Sequence, residues 1–295
     1  MKTIINLAAA AAILSLSVQA SPVQNASAAP AQNASVSSFD MDTRVDNALQ
    51  NLAAKVVARG GTRADYDALV AEFKAQMDAA AAINTKAPTL RTRFEASVAD
   101  IQTRAATAAI AQEEFDLLRI EAIDARLDDA LQALYARAVA GGATRQEYQR
   151  VANYLTAAAD AAKAVDPDSG NIRTRLQSMV DALEKAAAKA ASDFQPVAEE
   201  VTSARLGRNL TILSHRNDGK TLTATDWTRA RNAINDAVDA FSKSDPTDAA
   251  SIQKTLLASL DSLQKRAAAA GLTRADFDAL RDSWTKRARA ASAPK

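Results

Sequence analysis

The side chains here that recur in a pattern able to bind something are arginines: Arg91 and Arg93 in one stretch, Arg173 and Arg175 in another. Both pairs follow a proline-containing break and fall near a helix start, where the helix dipole disfavours cations. Cations repeated against that cost mark a candidate anion-binding stripe. Two points oppose it. Arg91 and Glu95 are four apart and can pair, and long arginine stems also cover apolar surface. The third copy of the segment carries Gln253-Lys254-Thr255 instead.

Other chemistry is harder to assemble. His215 is the single histidine and cysteine is absent, so zinc or iron lacks its usual ligand set. A nucleophilic triad would have His215 as its only histidine base, and no Gly-x-Ser-x-Gly elbow occurs. Phosphate-cradling glycine loops are missing as well. Glu113-Glu114, Asp128-Asp129 and Glu199-Glu200 are sequence neighbours, which point about 100 degrees apart on a helix and do not flank one bond. No catalytic residue, metal ligand or cofactor is expected.

Asp218-Gly219-Lys220-Thr221-Leu222-Thr223-Ala224-Thr225-Asp226-Trp227 resembles the second half of an EF-hand calcium loop, and Gly271 to Phe277 resembles the same part. The resemblance implies weak calcium binding near Asn217–Asp226. Calcium takes roughly six to eight oxygens, mostly from the first half of such a loop. There this chain offers Ser214-His215-Arg216-Asn217, and before Gly271 the cations Lys265 and Arg266 followed by alanines.

The elements that would position these groups are helices. The 295 residues are rich in alanine, with 8 glycines and 4% aromatics. Alanine favours helix, whereas strands need the β-branched and aromatic residues that are scarce here. Lys and Arg (36) balance Asp and Glu (35), so the broad positive field that draws nucleic acid is absent.

Residues 1–20 read as a signal peptide. Met1-Lys2 precedes an apolar run from Ile4 to Leu16, and Val18-Gln19-Ala20 sets cleavage before Ser21. Export to the periplasm or outside the cell follows as an expectation. Residues 21–43, rich in Ala, Ser, Asn and Pro, read as a disordered tether. Residues 292–295 read as a tail.

Between them the chain repeats. Arg44-Val45-Asp46-Asn47-Ala48-Leu49 matches Arg126-Leu127-Asp128-Asp129-Ala130-Leu131, and more loosely Arg205-Leu206-Gly207-Arg208-Asn209-Leu210. Leu90 to Phe94 matches Ile172 to Leu176 and Ile252 to Leu256. Phe115, Leu118 and Ala122 match Phe194, Val197 and Val201, then Phe277, Leu280 and Trp284. Steps of three and four put such residues on one helical face. Prolines 88, 167 and 246 sit in polar breaks, where they end one helix and open the next.

Four turns share Thr-x-x-acid followed by an aromatic: Thr62 to Tyr66, Thr144 to Tyr148, Thr223 to Trp227 and Thr273 to Phe277. In that spacing the threonine and the acid cap the new helix reciprocally. Glycine ahead of the threonine can end the previous helix left-handed.

The expected fold is all-α: about twelve amphipathic helices as six hairpins, in helical units 44–125, 126–204 and 205–291. They would stack as an α-solenoid or pack as linked four-helix bundles. The expected function is a non-enzymatic scaffold or protein-binding module whose partner is another protein. The alternative is a binder of an anionic envelope polymer or membrane surface through its arginine-bearing faces.

Overall fold

The structure is a computed structural model that describes residues 33–291 except 189, 220 and 270, with side chains from 41 to 286. The expected signal peptide, residues 21–32 of the tether and the tail lie outside the described residues. Among those described there are ten helices and no strand: α1 (Asn33–Val57), α2 (Arg63–Ala80), α3 (Ala87–Ala105), α4 (Gln112–Val139), α5 (Arg145–Ala162), α6 (Ser169–Ala186), α7 (Ala191–Asp218), α8 (Ala224–Phe241), α9 (Ala249–Ala268) and α10 (Arg274–Ala291).

Ten helices replace the expected twelve because α4 and α7 each run through a boundary between repeats. Neither Ile123-Asp124-Ala125-Arg126 nor Ser203-Ala204-Arg205-Leu206 contains a glycine, a proline or a capping box, so nothing there stops a helix. Each long helix has 28 residues. At 1.5 Å per residue that is about 42 Å. A second correction concerns the tether: α1 begins at Asn33, so residues 33–43 belong to a helix. Pro30 is the last helix breaker before it.

Apolar side chains gather in three large clusters. The first takes Val45, Leu49, Phe73, Phe94, Phe115 and Leu118 from α1, α2, α3 and the first half of α4. The second takes Leu127, Leu134, Val151, Leu176, Phe194 and Val197 from the rest of α4, α5, α6 and the start of α7. Leu206, Leu213, Trp227, Leu256, Phe277 and Trp284 form the third, from the rest of α7 and α8 to α10. A smaller cluster of Leu117, Ile120, Ala162 and Ile212 joins α4, α5 and α7 where the three groups meet.

The long helices lie antiparallel. Residue numbers fall along α7 as they rise along α4, through Glu114–Arg216 (3.0 Å), Asp128–Arg205 (2.8 Å) and the edge-to-face rings of Tyr135 and Phe194. The first and third groups therefore meet across the α4–α7 pair. In a solenoid each repeat touches only its neighbours, so simple stacking does not describe this packing.

The turns follow their chemistry. Thr62, Thr144 and Thr223 each begin a helix with both arms of the capping box present. Thr273 donates its backbone N–H (2.7 Å) and its hydroxyl (2.9 Å) to Asp276. At the Gly60-Gly61 turn it is Arg59 that turns left-handed, at φ 59°. Gly61 is needed for space, since a Cβ there would lie 2.5 Å from Val56 Cγ2. The proline breaks hold a difference. Pro88 lies inside the first turn of α3, whereas Pro167 and Pro246 precede α6 and α9. What the three breaks share is a side-chain oxygen accepting the amide two residues on: Asn84 from Lys86 (2.9 Å), Asp166 from Asp168 (3.1 Å) and Asp245 from Thr247 (3.3 Å).

Candidate functional site

Helical geometry places residues four apart on one face. Asp42 and Asp46 on α1 therefore present two carboxylates together, as do Asp124 and Asp128 on α4. Into the first pair goes Arg126 of α4, 3.3 Å from Asp42 and 3.0 Å from Asp46; its Nη2 also donates to the Asp42 carbonyl at 2.9 Å. Into the second goes Arg205 of α7, at the position equivalent to Arg126. It lies 2.8 Å from Asp128 and 3.5 Å from Asp124, and its Nη2 donates to the Asp124 carbonyl at 2.9 Å. One lock is thus built twice. Both arginines are buried, at 4% and 9% exposure.

Burial alone would lower the affinity of Arg205 for its proton, but Asp128 and Asp124 outweigh it and raise the value above that of a free guanidinium. Arg208, one turn on, also donates to Asp124. In the third copy Ser203 and Gly207 stand where the two aspartates would be, and the pattern stops there.

A second set of pairs fastens the first group to the third. Arg93 of α3 grips Asp236 of α8 through two N–H groups, at 2.7 and 3.1 Å. Arg229 of α8 donates to Glu121 of α4. Arg216 reaches Glu113 (3.2 Å), Glu114 (3.0 Å) and Asp226 (2.9 Å) at 5% exposure. Burial would raise the Glu114 carboxyl, yet the Arg104 and Arg216 guanidiniums overturn that and lower it.

The Arg216–Asp226 pair belongs to a family within the chain. A cation ten residues before the capping acid meets it at every Thr turn: Lys55–Asp65 at 2.5 Å, Arg137–Glu147 at 3.2 Å, Arg216–Asp226 at 2.9 Å and Arg266–Asp276 at 2.8 Å. In the sequence the signal is a basic residue seven positions before each capping threonine.

Three of the four candidate anion-binding arginines are engaged by carboxylates. Arg91 pairs with Asp78 (3.0 Å) and Glu95 (3.5 Å), Arg93 with Asp236, and Arg175 donates Nε to Glu200 at 2.7 Å. They do not converge. Arg173 alone faces a cavity, of about 40 Å³, which it lines with Asp124, Asp166, Ser169, Arg205 and Arg208. Burial raises the Asp166 carboxyl there, against the Asp168 amide and Arg208, which lower it.

The calcium-like turn is otherwise committed. Asp226 accepts from Arg216 and from the Thr223 amide (2.8 Å) and hydroxyl (2.9 Å), at 2% exposure. His215 is exposed in the last turn of α7. Among the described residues no cluster of His, Asp or Glu could hold a metal ion, and no helix is long and apolar enough to cross a membrane.

A buried polar cluster had no distinctive sequence signal. Asp42 accepts from Gln76 (2.5 Å) and from the Tyr154 hydroxyl, while Asp129 accepts from Asn84, whose own oxygen accepts from Gln132 at 2.8 Å. It draws on α1, α2, the α2–α3 turn, α4 and α5. Burial pushes Asp129 up to about 6, although the Asn84 hydrogen bond opposes it. Burial also raises Asp42, against Arg126 and Tyr154. No family model matches this chain, and neither a curated protein nor a solved structure does.

Proposed function

We propose that this chain is an exported, non-enzymatic helical scaffold that binds another protein. Its three units, 44–125, 126–204 and 205–291, are read as four-helix groups fused through shared helices. Export rests on the pattern of Met1 to Ala20. The observation that carries the scaffold reading is the repeated lock of Arg126 on Asp42 and Asp46 and of Arg205 on Asp124 and Asp128. Domains joined by loops are free to reorient. Here a continuous helix and a buried, twice-repeated ion pair span each junction, which suits a part that holds a surface in fixed orientation.

The anionic-surface alternative is the weaker one, since Arg91, Arg93 and Arg175 already have carboxylate partners. A calcium role is weaker still, because Asp226 is taken by Arg216 and Thr223.

The test uses the processed chain as bait in an extract of the source envelope. A scaffold retains a specific protein through high-salt washes and leaves anionic vesicles unpelleted. Retention of nothing, or salt-sensitive pelleting with vesicles, overturns the reading.

A further inference from the structure

The repeat register sets two faces of the first group against two faces of the third. In the first group, α3 and the first half of α4 form a groove filled by α7 and α8. There Arg93 holds Asp236, Glu121 takes Arg229, and Leu117 clusters with Ile212. Glu114, paired with its own Arg104 at 3.1 Å, takes Arg216 as a second cation.

In the third group the equivalent groove, between α9 and α10, is open, with a volume of about 780 Å³. Aligning Phe94 with Leu256 and Phe115 with Phe277 puts Thr255 in the place of Arg93, Asp276 for Glu114, Ala279 for Leu117 and Ser283 for Glu121. Arg266 holds Asp276 at 2.8 Å, as Arg104 holds Glu114.

The hairpin equivalent to α7–α8 is α1–α2. Aligning Arg205 with Arg44 and Thr223 with Thr62 puts Asn51 in the place of Ile212, Lys55 for Arg216, Ala68 for Arg229 and Ala75 for Asp236. Asn51, Lys55 and Ala68 are exposed and Ala75 is half-buried.

We propose that the α9–α10 groove docks the α1–α2 hairpin of a second copy of this chain, head to tail. Between molecules it repeats the contact that the first and third groups make within one. Two charged pairs are replaced on both faces at once. Arg93–Asp236 becomes Thr255–Ala75, and Glu121–Arg229 becomes Ser283–Ala68, so both members of a charged pair change together and neither side is left with an orphan charge.

One charged contact is kept. Asp276, already held by Arg266, takes Lys55, as Glu114 takes Arg216. Small residues at the other positions bring the helices closer than the charged pairs do. Because the two faces differ, the contact is heterologous and builds rings or filaments. It is independent of the scaffold reading, since a strictly monomeric chain can still retain a partner.

The absence of cysteine gives a direct test. Full-length Ala68→Cys and Ser283→Cys variants each carry one thiol. Mixed in equal amounts with a short bis-maleimide, they should cross-link to one another far more than either variant does alone. Sedimentation should show the parent chain gaining mass with concentration, and Ser283→Arg, with an unchanged circular dichroism spectrum, losing that gain. A mass that stays monomeric up to millimolar concentration, or cross-linking of the mixture no better than of each variant alone, overturns the proposal.

Discussion

Asp129 is held among Asn84, Asp128 and Asp42, and burial lifts its carboxyl from 3.8 to about 6. A folded state that binds its proton more tightly than the unfolded chain has its full advantage below pH 3.8 and loses it as pH rises through 6. Asp129→Asn should therefore stabilise the protein near pH 7.5, by up to about 3 kcal/mol. The gain should shrink towards zero near pH 4, as thermal melts across that range would show. A difference that does not change with pH would mean that Asp129 titrates normally.

Burial also separates two members of the turn family. Arg137 is half exposed, so Arg137→Ala should cost less than about 1 kcal/mol. Arg216 is buried between Glu114 and Asp226, and Arg216→Ala should cost roughly 3–5 kcal/mol by leaving them uncompensated. Equal losses in urea titrations would refute that distinction. The sequence displayed the capping threonines and acids because their spacing is local. Asp42 and Arg126 are 84 residues apart, and nothing in either segment names the other.

At the scale of the helix, the aromatic after each capping acid points inward as its spacing predicts. Phe277 is 1% exposed and lies 6.5 Å from the Trp227 ring, so Phe277→Ala should cost roughly 3–5 kcal/mol by chemical denaturation. An unchanged midpoint would put that ring outside the core. The periodic faces were legible: Phe94, Val98 and Ile101 are buried, and so are Leu176, Val180 and Leu183.

The continuity of α4 departs from the twelve-helix expectation, although its signal is present in the sequence. Ala122 to Ala130 carries no breaker, so the repeat that begins anew at Arg126 marks a boundary of similarity and not of helix. The matching prolines are not structurally equivalent. The shared feature of those breaks is the side-chain oxygen of Asn84, Asp166 and Asp245, which tolerates the proline at different distances.

Across the whole molecule, three cores are coupled by two shared helices and by buried ion pairs. Calorimetry of the parent chain should give one cooperative transition. Arg205→Ala removes the cation between Asp124 and Asp128, where the second and third cores adjoin, and should split that transition in two. A single sharp transition in the variant would show that α7, Arg208 and the small apolar cluster hold the two cores together without Arg205.

The shared helices also make the chain shortenable in a particular way. Joining Ala125 directly to Arg205 excises one period and splices the first half of α4 to the second half of α7, restoring a helix of the same 28 residues. Arg205 then falls where Arg126 stood, opposite Asp42 and Asp46. A splice out of phase by a single residue would swing everything downstream by about 100 degrees and turn that arginine away. Editing this molecule therefore means counting in periods, and the turns, which look like the natural places to cut, have no privilege.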